Sequence, residues 1–296
     1  MARFVVSYVV LSFFYIFQLS NAASTTYNVM RFGAKPDGKT DATQPFLKAW
    51  SRITFQIGGT LVAPADYRAL GNSRYWILFI KINRVSVIGG TLDARGAGFW
   101  ACRKYRQNCP VGASSLTFNW ANNILISGLT SINSQSIHLV INGCKNVVVR
   151  NVKAIAPAQS PNTDGIHVQI STGVTITGST LQTGDDCISI GPGTRNMVMS
   201  NIKCGPGHGV SIGSLGKEFN EDGVENIMLT NSVFSGSDNG VRIKSWAKPS
   251  NGFVRKVVFQ NLIMKDVKEP NYHRPKLLPW QHRLSSSGNS LLQHYE

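Results

Sequence analysis

From Asn83 onward the chain repeats one short alternation of apolar and polar positions. Seven stretches share it: NRVSVIGGTLDA from Asn83, NNILISGLTSIN from Asn122, KNVVVRNVKAIA from Lys145, TGVTITGSTLQT from Thr172, RNMVMSNIKCGP from Arg195, ENIMLTNSVFSG from Glu225 and RKVVFQNLIMKD from Arg255. In each, a β-branched run with every second residue apolar passes through glycine, asparagine or another small polar residue into a second short run. A period of two predicts a strand with one face in a core. The interruption predicts a bend, because glycine and asparagine accept the left-handed backbone region at low cost. Aligning Ile124, Val147, Val174, Met197, Ile227 and Val257 gives steps of 23, 27, 23, 30 and 30 residues, the spacing of a solenoid rather than of a propeller blade. An antiparallel sandwich also uses short strands and turn signals, but it would not repeat a single strand-bend-strand unit seven times. The expected fold is all-β, a parallel β-helix. Helical periodicity is nearly absent after Trp50, and the one expected helix, Asp41 to Trp50 with Thr40 or Asp41 as its cap, reads as a lid on the open end of the stack.

Composition narrows the setting. A chain of 296 residues with 42% hydrophobic and 15% charged residues is long enough for one sizeable domain and too apolar for disorder. Met1 to about Ala23 has Arg3, an apolar run and then small residues, the pattern of a secretory signal. No later segment reaches the roughly 20 apolar residues of a membrane span, so a soluble, exported protein is expected. Export permits disulfides, and five cysteines (Cys102, Cys109, Cys144, Cys187, Cys204) leave one unpaired without fixing which. The balance of 30 basic against 15 acidic residues, +15, suits a polyanionic partner. Export points to an acidic extracellular polymer instead of nucleic acid.

Stacked coils bring distant residues into register, so chemistry should recur at one place in successive units. SPNTDGIHV supplies Asp164, TGDDCISIG supplies Asp185 and Asp186, CGPGHGVSIGSLG supplies His208, and GVRIKSW supplies Arg242 and Lys244. Asp164 and Asp185 are 21 residues apart and Asp186 and His208 are 22 apart, about one coil each. Three carboxylates, an imidazole and two cations on one ridge would repel and shift one another's ionisation, which is common where an acid and a base must be held apart. Taken alone, the aspartate pair is equally a solvated turn, and Arg242 with Lys244 equally surface charge. His167 faces either the cleft or solvent, His138 reads as structural, and His273, His282 and His294 carry no motif. No cluster has zinc spacing, and no nucleotide loop is present. Neither a metal nor a cofactor is expected.

These four motifs, in this order, resemble those of the polygalacturonases, pectin-cleaving glycoside hydrolases of the right-handed parallel β-helix class, over about Asn28 to Val267. The resemblance implies secretion to the cell wall and a monomer acting on polygalacturonate with inversion. It implies Asp185 as general acid, Asp164 and Asp186 as the residues that hold and deprotonate water, and His208 as support for their protonation. Arg242, Lys244 and Asn162 are then the substrate-binding residues. It also pairs Cys187 with Cys204 and Cys102 with Cys109, leaving Cys144 as the odd thiol.

The chain departs from the family in two places. Trp50 runs directly into Ser51 where relatives continue through further coils. After Val267 residues 268–296 show no strand alternation, and are expected to be a disordered tail following a catalytic domain of residues 24–267. These departures favour an alternative, an inactive pectin-binding β-helix whose truncated stack is poorly soluble. A third reading, a pectin lyase on the same fold, fits Gly-Asp-Asp and Gly-His-Gly less well than hydrolysis does.

Overall fold

The computed structural model describes residues 53–105, 108–273 and 292–295. The expected signal segment and the expected Asp41 to Trp50 helix lie outside these residues. What is described is a parallel β-helix. Strands Ile53–Gln56, Asn83–Ile88, Asn122–Ser127, Lys145–Arg150, Thr172–Thr177, Arg195–Ser200 and Val224–Ser235 hydrogen-bond in that order, each parallel to the next. Ile124, Val147, Val174, Met197, Ile227 and Val257, the six positions aligned by sequence, are successive register partners, each no more than 2% exposed. A second inward column two residues on runs Val87, Ile126, Val149, Ile176, Met199, Leu229, Phe259. Burying each such side chain contributes about 1.5–3 kcal/mol relative to leaving it in water, and the columns share one core.

The bends fall where the sequence places them. Between the long and short strands stand Gly128, Asn151, Gly178, Asn201, Asn231 and Asn261, all with φ between +50° and +68°. Residues with a bulky or branched Cβ would be strained there. Val224–Ser235 runs unbroken through its bend, so it serves both columns of strands and joins them into one fifteen-stranded sheet.

A second, eight-stranded parallel sheet carries the chemistry. Its order is Tyr75–Ile80, Ser114–Asn119, Leu139–Asn142, Ile166–Gln169, Ile188–Ile190, Val210–Leu215, Asn239–Ser245, Glu269–His273. Its inward residues continue the same core, with Leu116, Leu139, Ile166, Ile188, Val210 and Val241 in one column. A disulfide from Cys187 to Cys204 ties this sheet to the short-strand column, and a second joins Cys102 to Cys109; Cys144 is free and buried.

Two expectations need correction. A helix at Ala97–Lys104 was not anticipated, because Gly98 weakens its intrinsic preference and Gly96 gives its start no side-chain cap. Tertiary contacts supply what propensity lacks: Phe99 and Cys102 are buried, and the Trp100 indole Nε1 donates to the Ser134 carbonyl at 3.1 Å. Strand structure also continues beyond Val267. Glu269–His273 pairs in parallel with Asn239–Ser245, and Leu292–Tyr295 pairs antiparallel with Val254–Lys265. Glu-Pro-Asn-Tyr-His has no alternation to signal this. The open edge of the preceding strand imposes the pairing, and a proline is tolerated on such an edge.

Candidate active site

The outward face of the eight-stranded sheet is built by the same alternation that fills the core. His167, Ser189, Ser211 and Arg242 are register partners on four successive strands, and Lys244 follows Arg242 on the same face. The bend before each strand carries the acids and His208. These bends stack through the backbone: Gly165 N–H donates to the Asp186 carbonyl at 2.9 Å, and His208 N–H to the Asp185 carbonyl at 2.8 Å. Gly184 packs so tightly that any Cβ would overlap the Ser160 backbone, which explains the glycine before the aspartate pair.

Two adjacent carboxylates coexist here because each has its own partners. Asp185 Oδ1 accepts from the Asp186 backbone N–H at 2.8 Å and lies 2.9 Å from His208 Nδ1. Asp186, buried, accepts at Oδ1 from Ser211 Oγ (2.8 Å) and Arg242 Nη2 (2.6 Å), and at Oδ2 from Lys244 Nζ (2.7 Å). Arg242 Nε donates to Ser211 Oγ at 2.7 Å, closing a ring around that carboxylate. Asp164 Oδ2 accepts from Ser189 Oγ at 2.6 Å. Of the residues expected from sequence, Asp185, Asp186, His208, Arg242 and Lys244 form this network, and Asp164, bonded to Ser189, feels the charges of Asp185, Asp186 and Lys244. Asn162 is exposed, in a left-handed conformation (φ +57°), with no side-chain partner among the described residues.

Residues 26–273 match the sequence model of glycosyl hydrolases family 28. The polygalacturonase of Prunus persica is 47% identical over 295 residues, covering 88% of this chain and 75% of that protein. The chain belongs to glycosyl hydrolases family 28. Among solved structures, the endo-xylogalacturonan hydrolase of Aspergillus tubingensis superposes with a TM-score of 0.69 at 23% identity, over 81% of this chain and 75% of that one. The polygalacturonase of Erwinia carotovora ssp. carotovora gives 0.61 at 25% identity, over 72% and 64%. The right-handed parallel β-helix is therefore shared.

Within this family 28 glycoside hydrolase the three carboxyls sit in unlike electrostatic surroundings. Burial, then the charges of Asp185 and Asp186, push the Asp164 carboxyl up to about 7. Burial also lifts Asp185, but the hydrogen bond and charge of His208 outweigh it and hold that carboxyl below the ordinary range. His208 is raised in turn, first by its bond to Asp185 and against its own partial burial. Asp238 flanks the pair, its Oδ2 3.7 Å from His208 Nε2, while Lys268 Nζ holds Oδ1 at 2.7 Å. Asp185, Asp186 and His208 place one ligand atom each within 4.8 Å of one another, a geometry that a metal ion could use. Arg242 and Lys244 already balance the Asp186 charge that would attract one.

Sequence reasoning missed Ser189, Ser211 and Asp238, and left His167 undecided. For Ser189, Ser211 and His167 a usable signal existed: each lies on the outward period of a strand that follows an acid or the histidine, one coil from its partner, whereas Asp238 lies in the bend before Asn239–Ser245. Serine at such a position carries no chemistry of its own until the register is known.

Proposed function

We propose that this family 28 enzyme is a polygalacturonase that hydrolyses α-1,4-galacturonosyl bonds of pectin with inversion, working as a single extracellular chain at the cell wall. The observation that carries this is three neighbouring carboxyls with unlike partners: Asp164 raised by burial, Asp185 held low by His208, and Asp186 bound to Arg242 and Lys244. An inverting glycosidase needs an acid on one side of the bond and a base, with room for water, on the other.

Asp185 is the acid in this reading. With His208 raised and Asp185 lowered, the pair's proton rests on His208, 2.9 Å from Asp185 Oδ1, and passes from His208 through Asp185 to the leaving glycosidic oxygen as the bond breaks. Asp164 and Asp186 take the water. Asp164 ionises near neutrality, which suits a general base. Of about four lone-pair sites on Asp186, three accept from Ser211, Arg242 and Lys244, and one on Oδ2 remains for a water proton. Arg242 and Lys244 keep further N–H donors, enough to hold a galacturonate carboxylate alongside Asp186. Asn162, exposed in the same bend as Asp164, is assigned to the substrate side.

Two disulfides suit an oxidising compartment. Among the described residues no helix is long and apolar enough to cross a membrane. The network is complete within one chain. The test is release of reducing ends from polygalacturonate, with proton NMR of the first product. The β-anomer indicates inversion, the α-anomer excludes it, and binding without new ends identifies a pectin-binding protein.

A further inference from the structure

Asp164 does not end at Ser189. Ser189 Oγ, 2.6 Å from Asp164 Oδ2, is also 2.8 Å from His167 Nδ1, and His167 Nε2 is 3.2 Å from Gln169 Oε1. Three side chains thus extend the carboxyl along the outward face of two adjacent strands, with Ser189 buried and His167 half-buried. A hydroxyl has one proton to give, so it cannot donate to Asp164 and to His167 at once. When Asp164 is a carboxylate, Ser189 donates to it and accepts from His167 Nδ1–H. When Asp164 is protonated, its O–H donates to Ser189, Ser189 donates to Nδ1, and the imidazole proton sits on Nε2 facing Gln169 Oε1. Burial favours the neutral form of His167, holding its ionisation below the ordinary histidine range.

We infer that Ser189, His167 and Gln169 form a positioning relay that orients the Asp164 carboxyl and registers its ionisation in the tautomer of His167. The inference rests on the reading of Asp164 as the residue that activates water. The relay gives Asp164 a directed proton on one oxygen and leaves the other oxygen for the site. Charged and titratable groups that face it are Asp185, Asp186 and Lys244, with His208 and Arg242 one partner further; on the other side Val140, the register partner of His167, is apolar.

The experiment is a pH titration of the whole protein labelled with ¹⁵N-histidine, the His167 signals being assigned with His167→Asn. Expected is an exchange between Nε2–H and Nδ1–H forms whose midpoint coincides with the acidic limb of kcat/KM on polygalacturonate. Ser189→Ala should uncouple the two, move that limb upward by about one pH unit, and lower turnover about tenfold on the acidic side while sparing the plateau. Ser189→Thr, which keeps the hydroxyl, should restore both. A single His167 tautomer across the range in the parent, or a loss in Ser189→Ala that is equal at every pH, overturns the relay. Full hydrolysis by Asp164→Asn overturns the role proposed for Asp164 instead, and the parent's NMR titration still decides the relay.

Discussion

The outward faces of the two sheets follow the same stacking rule and reach opposite results. On the fifteen-stranded sheet identical side chains stack in the open: Asn123 donates to Asn83 at 2.7 Å, Asn146 to Asn123 at 3.2 Å, Asn226 to Asn196 at 2.7 Å and Asn261 to Asn231 at 3.1 Å. Its charges do likewise, with Arg195, Glu225 and Arg255 as register partners at the surface. Such pairs are screened and contribute little. On the eight-stranded sheet acids, an imidazole, serines and cations meet at buried or half-buried positions, where burial and charge shift the ionisation of Asp164, Asp185 and His208. Repetition yields a scaffold; breaking the repetition at a buried position yields chemistry, at a cost in stability that the scaffold must offset.

Substitutions should divide along this line. The largest effect expected is on turnover: Asp185→Asn keeps the shape and an acceptor for His208 but has no proton to donate, so hydrolysis should fall about 10²- to 10⁴-fold with substrate binding retained. An activity within tenfold of the parent would remove Asp185 from the acid role.

Next is a gain in stability from losing an acid. Asp164 is held near 7 in the fold against an ordinary 3.8, so its neutral form is favoured. The stability this contributes is present below about pH 4 and is lost as pH rises through about 7. Asp164→Asn should escape that loss, and between pH 4 and pH 8 its unfolding free energy should improve relative to the parent by on the order of 3 kcal/mol. His208, raised by Asp185, also contributes below its ordinary 6.5 and fades above it, and it does so in both proteins. An unchanging gap between the two stability curves would show that burial of Asp164 carries no penalty.

Asp186→Ala leaves Arg242 and Lys244 facing each other without their shared acceptor. Removing one member of a buried ionic cluster is strongly destabilising, but both cations retain some contact with water, so a loss of about 2 kcal/mol is expected in denaturant unfolding. Smallest is the scaffold face. Asn226→Ala loses an exposed hydrogen bond and a side chain suited to φ +57°, about 1 kcal/mol, and should leave turnover unchanged. If Asn226→Ala impaired hydrolysis as much as Asp186→Ala, the contrast between the two faces would collapse.

Much of this was legible in the chain because period-two alternation and recurring glycine or asparagine are local signals. They identified the inward columns, the bends and the coil spacing, and from the spacing followed the stacking of Asp164, Asp185, Asp186, His208, Arg242 and Lys244. The helix at Ala97–Lys104 and the strand at Glu269–His273 were not legible, since neither rests on local preference. One is held by Phe99, Cys102 and Trp100 against neighbouring coils, the other by an unpaired strand edge.

The sequence by itself determined the fold class, the inward and outward sides of the strands in the seven repeats and the types of group that meet at the site, because all three follow from residue type and period. Only the tertiary structure decided what each group is there. It turned Asp186 toward two cations and Asp185 toward His208, left Asn162 in solvent, and linked Asp164 through Ser189 to His167. The physical reason is that ionisation and hydrogen-bond direction depend on burial and on partners within about 3 Å, supplied by residues one or two coils away.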